Sequence, residues 1–136
     1  MVYASGTKIE PPQTRMDIER TLQRYGATSF SWHIEQRKAS LQFQIGKPVD
    51  RIVRFKVPFP GEDDARAKRQ TRERWRALLL CIKAKLESVD SGIESFEEAF
   101  LAHVVTPDGT TIYEHIQGPL SVAYKEGRAL ALPPPQ

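Results

Sequence analysis

The chain predicts an α+β domain: a three-stranded antiparallel β-meander packed on a long α-helix, in the order α-β-β-β-α-α-α. Three observations predict it. Between residues 30 and 57 apolar and polar residues alternate with period two in three short runs, the pattern of half-buried strands. The runs are joined by short polar turns, too short for a crossover helix, so neighbouring strands are antiparallel. Between residues 64 and 91 the apolar residues recur every three or four positions, the spacing of one helix face.

Residues 1–13 contain Gly6, Pro11 and Pro12 and read as an arm. Thr14 suits the cap of a short helix with Ile18, Leu22 and Tyr25 on its apolar side. Asp17 then falls at the third helical position, where a carboxylate favours the helix dipole, and Gly26 ends the helix. The first strand alternates Phe30, Trp32 and Ile34 with Ser31, His33 and Glu35. The second alternates Leu41, Phe43 and Ile45 with Ser40, Gln42 and Gln44, and the third Val53, Phe55 and Val57 with Ile52, Arg54 and Lys56. Gln36-Arg37-Lys38 and Gly46-Lys47-Pro48 are the turns, and Pro58-Phe59-Pro60-Gly61 stops the sheet.

The long helix is expected from Asp64 to Ser91, with Asp63 and Asp64 as amino-terminal charges and Gly92 as its stop. Trp75, Leu78, Leu79, Ile82, Leu86 and Val89 share one side and should cover the sheet. A second, smaller stripe of Ala77, Leu80, Cys81, Ala84 and Ser88 faces away. A helix apolar on two sides is usually sandwiched, so the later helices are expected to cover this stripe, with Cys81 packed inside. A subunit contact is the alternative. Ser95 and Glu98 form a capping box for a third helix bearing Phe96, Phe100 and Val104. Pro107-Asp108-Gly109 is a turn, and Thr111 with Glu114 repeats the box for a last helix, interrupted at Gly118-Pro119. The expected division is an arm over 1–13, one domain over 14–128 and a loose proline-rich tail over 129–136.

At 136 residues the chain is long enough for one hydrophobic core. Its longest apolar run, residues 77–82, is far short of the roughly 20 residues of a membrane span. No charged start followed by an apolar stretch suggests secretion, and the single Cys81 fits a reducing cytosol. The expected location is the cytoplasm, with no membrane partner.

Charge divides the chain more sharply than hydropathy does. Up to Lys85 there are 18 basic and 9 acidic residues, about +9; beyond it there are 2 basic and 8 acidic residues, about −6. On the long helix Arg69, Arg72, Arg76 and Lys83 share one flank, spaced by three, four and seven residues, with Arg66 and Lys68 in the first turns. Arg74 and Lys85 lie on the opposite flank. Such a row suits phosphates, which release counterions when neutralised, and the arginine fork matches phosphate oxygens. Lys47, Arg51, Arg54 and Lys56 would extend the surface over the third strand. The competing reading is a solvated helix face whose basic stems cover apolar surface. Base stacking would need an exposed aromatic; Tyr3 and Phe59 are the candidates, although Phe59 also fits the core.

Signals for catalysis are absent or weak. His33, His103 and His115 fit no metal-ligand spacing, and ordinary surface or packing roles are expected for them. Neither a phosphate loop nor a nucleophile elbow occurs. Asp50 and Lys56 lack the second acid a nuclease centre needs. The chain is therefore expected to be non-enzymatic, with no catalytic residue, metal or cofactor.

Several segments carry a resemblance: Arg24-Tyr25-Gly26-Ala27, Arg74-Trp75-Arg76-Ala77-Leu78, Ile82-Lys83-Ala84-Lys85-Leu86-Glu87, Phe96-Glu97-Glu98-Ala99-Phe100-Leu101-Ala102-His103 and Pro107-Asp108-Gly109. Together they resemble small bacteriophage and prophage proteins, over a span from Tyr3 to about Tyr124. This resemblance implies a phage origin and a site of action in the host cytoplasm, and it carries over no catalytic residue. The meander followed by a long basic helix also resembles, in architecture, the core of phage single-strand annealing recombinases. That likeness implies a homo-oligomer holding single-stranded DNA in a basic groove beside sheet and helix. The expected function is thus nucleic-acid binding, single-stranded DNA foremost, in replication or recombination. The alternative is a module that binds a host or defence protein through the acidic segment Glu87–Glu114.

Overall fold

A computed structural model describes residues 12–35, 37–46, 50–60 and 64–131. It has the expected α+β architecture: α1 (Pro12–Gln23), β1 (Ala27–Ile34), β2 (Lys38–Ile45), β3 (Arg51–Pro58), α2 (Ala65–Asp90), α3 (Phe96–Phe100), a 3₁₀ turn (Leu101–His103) and α4 (Ile112–Glu126). The strands form one antiparallel sheet in the order β1-β2-β3.

α1 starts two residues before Thr14. Proline is well placed in a first turn, where its missing N–H would have had no partner. Thr14 is therefore inside the helix rather than its cap. Asp17, no longer in the first turn, accepts from the Gln13 side chain at 3.1 Å.

In the sheet, Leu41 sits between Trp32 and Phe55, and Phe43 opposite Val53. The β1–β2 register shifts between Thr28 and Ser31, where Ser29 adopts φ 56°. That bulge changes the parity of β1, so Ala27 and Phe30 both join the core although they lie an odd number of residues apart. Lys38 begins β2 instead of ending the turn. α1 packs Ile18 and Leu22, and α2 packs Trp75, Leu78, Ile82 and Leu86, onto the apolar side of the sheet.

α2 has the expected bounds. The Asp64 carboxylate accepts from Ala67 N at 2.8 Å, and Gly92 follows the helix at φ 77°. Trp75 is fully buried, with ring centroids 5.5 Å from Trp32 and 5.7 Å from Phe59. The second stripe of α2 departs from expectation. Ala77, Leu80, Cys81 and Ala84 are exposed, and no described element covers them. Cys81 is accordingly a surface residue, not a buried packing residue.

The later helices are engaged elsewhere. α3 has only five residues, and its capping box from Ser95 and Glu98 is complete. Val104, expected on that helix, is extended and bridges Val53, with Val105 N donating to Ile52 O at 2.8 Å. This pairing satisfies the outer edge of β3 and is why the helix stops. α4 has its own complete capping box from Thr111 and Glu114. It continues through Pro119, where an interruption was expected, and closes on Gly127 at φ 65°. The missing Pro119 N–H removes one helical bond, but Ala123 accepts from both Gly127 N and Arg128 N beyond it. Residues 128–131 then fold back on α4, where Arg128, Ala129 and Ala131 line a shallow pocket with Pro119, Val122 and Ala123. No helix among the described residues is long and apolar enough to cross a membrane.

Candidate nucleic-acid interface

With 3.6 residues per turn, Arg69, Arg72, Arg76 and Lys83 fall within about 60° of one another on α2 and span about 21 Å along it. All four are exposed, and none makes a hydrogen bond or ion pair with another described residue. Arg66 and Lys68 are likewise exposed and unpartnered, but they point to either side of this row. The other two basic residues of the helix have structural roles. Arg74 donates to Pro58 O at 2.6 Å, and Lys85 donates to Ala99 O at 3.0 Å while lying over the Phe100 ring.

The charge order of α2 runs against its own dipole. Its first turn contains no acid and its last turn no base; instead Arg66 and Lys68 open it, and Glu87 and Asp90 close it. Each such placement costs about 0.3–1 kcal/mol relative to the reverse order.

The third-strand cations do not extend the row. Alternate strand residues point to opposite faces, so Arg54 and Lys56 lie on the side of the sheet away from α2. They are also occupied. Arg54 donates to Gln42 Oε1 at 3.1 Å and to Gly109 O at 3.0 Å, and Lys56 to Glu114 Oε2 at 2.6 Å. Arg51 pairs with Glu97 on α3. The Lys56 hydrogen bond, followed by that from Thr111 N, holds the Glu114 carboxyl down to about 2. These residues attach the C-terminal segment to β3. Lys47 and Tyr3 lie outside the described residues.

The turn after β3's extra neighbour is held by a cluster that the sequence reading missed. Asp108 Oδ1 accepts from Thr106 Oγ1 at 2.6 Å and from Thr110 Oγ1 at 2.8 Å, while His115 Nε2 lies 3.0 Å from Oδ2. The Thr106 and Thr110 donors hold the Asp108 carboxyl well below its usual range. The cluster orients Gly109 O toward Arg54, so its role is positional. Among the described residues no three His, Cys, Asp or Glu side chains form a metal-holding group. His103 stacks on Phe55 at 4.1 Å, and burial, then the nearby Lys85 charge, lowers its pKa.

Phe59 is buried against Trp75 and belongs to the core, so it cannot stack on a base. Among the described residues the exposed tyrosines are Tyr113 and Tyr124 on α4, 54% and 83% accessible. With Gln117 and Leu120 between them at four-three-four spacing, they form one solvent-facing row. That spacing was present in the sequence but was obscured by the expected break at Gly118-Pro119.

No protein-family model, curated protein or solved structure matches the chain.

Proposed function

We propose that the chain is a non-enzymatic nucleic-acid-binding protein, with single-stranded DNA as its preferred ligand. Arg69, Arg72, Arg76 and Lys83 contact the phosphates. The observation that carries this reading is the row itself: four exposed cations without internal partners on a helix whose charge order costs it stability. A continuous cationic ridge attracts any phosphate backbone and reads no sequence. The preference for a single strand, a phage origin, and a role in annealing during replication or recombination belong to the same proposal. They are supported by the resemblances and by the meander-plus-helix architecture. The test is fluorescence anisotropy of labelled single- and double-stranded oligonucleotides over a salt series. Salt-sensitive binding, tighter for the single strand, is expected; no binding to either at low salt ends the proposal.

A second reading is a protein-binding module at the other end of the chain. The observation favouring it is the exposed Tyr113–Leu120–Tyr124 row, since exposed aromatic and aliphatic anchors suit protein contacts. A host protein retained after nuclease treatment, and lost on Tyr124→Asp, would support it over the first.

A further inference from the structure

The outer face of α2, opposite its buried side, repeats at alternating four- and three-residue spacing through Gln70, Glu73, Ala77, Leu80, Ala84 and Glu87. This is the spacing of a helix–helix seam. Leu80, at its middle, is 58% exposed. Its centre is apolar, flanked by Arg69 and Glu73 toward the amino end and by Lys83 and Glu87 toward the carboxyl end. Arg69, Glu73, Lys83 and Glu87 are all exposed, and none of their side chains makes a hydrogen bond or ion pair with a described residue.

The face is complementary to itself when reversed end for end about the level of residue 78. Position 87 then meets position 69, and position 73 meets position 83, so both acids meet bases. We propose that α2 pairs antiparallel with α2 of a second copy about a two-fold axis at that level. Glu87 faces the partner's Arg69 and Glu73 faces the partner's Lys83, each contact occurring twice by symmetry. Between them Ala77 and Leu80 of the two copies interdigitate, the alanines leaving room for the leucines. The antiparallel dipoles also compensate each other, which relieves the unfavourable charge order of the isolated helix.

The contact is modest in size. The 26-residue helix offers a strip about 39 Å long and about 10 Å wide on each copy, roughly 800 Å² in total. That lies below the usual range of stable interfaces, so the pair is a weak one that exchanges with monomer. A two-fold axis perpendicular to both helices keeps the Arg72–Arg76 flank of each copy on the same side. The pair therefore presents two basic rows together. This last consequence rests on the nucleic-acid reading, whereas the pairing itself does not.

The test is sedimentation equilibrium of the nuclease-treated full chain at low salt, without oligonucleotide, from about 1 to 200 μM. A shift from 15.5 kDa toward twice that mass is expected. Glu87→Arg alone and Arg69→Glu alone should each weaken association at least about tenfold, and the combined reversal should restore it. These side chains are exposed, so circular dichroism should match the parent. A monomer throughout, or failure of the combined reversal to restore association, overturns the pairing. A dimer unaffected by the single reversals but lost on Leu120→Asp overturns it too, in favour of the α4 face.

Discussion

Replacing Arg72 and Arg76 together by alanine tests the basic row most directly. The four cations of the row engage at most four phosphates. For a single strand each neutralised phosphate contributes about 0.7 to the slope of log affinity against log salt, giving about −2.8 for the row. In the unpaired chain, removing two cations should bring the slope to about −1.4. Between 50 and 200 mM salt the parent should then lose about 50-fold in affinity and the variant about 7-fold. Both residues are exposed and unpartnered, so stability should change by less than about 0.5 kcal/mol. Anisotropy titrations at three or four salt concentrations, with urea denaturation as the control, measure both quantities. An unchanged slope in a folded variant would place the phosphates elsewhere and refute the assignment.

Three further outcomes follow from the same structure. Trp75 Nε1 is buried without a partner among the described residues, an omission worth about 1–3 kcal/mol; Trp75→Phe should therefore cost under about 1 kcal/mol in urea denaturation, against about 3–5 kcal/mol for Trp75→Ala. Acidification should loosen the C-terminal segment in two stages, read by hydrogen exchange. The lowered pKa of His103 contributes stability that is complete above the unfolded value of 6.5 and declines below it. Glu114, held down to about 2, contributes stability present above its ordinary 4.5 and lost as pH falls toward 2, and Asp108 acts in the same direction. Lys56→Ala should move the second stage to higher pH, and an unchanged profile would argue against the Lys56–Glu114 attachment. Pro119→Ala restores a helical bond in α4 and should slow exchange over residues 120–126 by up to about 100-fold, since proline costs about 3 kcal/mol relative to alanine in a helix interior.

Local chemistry was legible in the sequence wherever it was self-contained. The strands declared themselves by alternation, and Asp64, Ser95 and Thr111 marked helix starts because each cap bonds within three residues. What could not be read depended on distant partners. Val104 keeps helical spacing with Phe100 yet pairs with Val53, because a free strand edge lies beside it. Arg51 and Lys56 looked like free cations, but their partners Glu97 and Glu114 are 46 and 58 residues away. The α2 stripe was expected to be covered because helices remained to cover it. α3 instead packs on another side of α2, where Lys85 donates to Ala99 O and Phe100 meets Phe43 and Phe55, and α4 follows the Asp108 turn, which leaves Leu80 in solvent.

The division of charge along the chain therefore has two different fates. Beyond Lys85 there are eight carboxylates. Glu97, Glu98, Asp108 and Glu114 fasten the C-terminal segment, and Asp90, Glu94 and Glu126 bond Tyr25, Ser88 and Arg128. Only the Glu87 carboxylate among them makes no hydrogen bond or ion pair with a described residue, and it ends the outer face of α2. The acidic half is thus largely consumed in holding the fold, including the cations of β3. The basic row of α2 receives none of that compensation from within its own chain, where its four side chains stay exposed. A low net charge of +3 consequently conceals one helix that acts on its surroundings as a concentrated polycation. Its attraction should depend on salt far more steeply than the whole-chain charge would indicate.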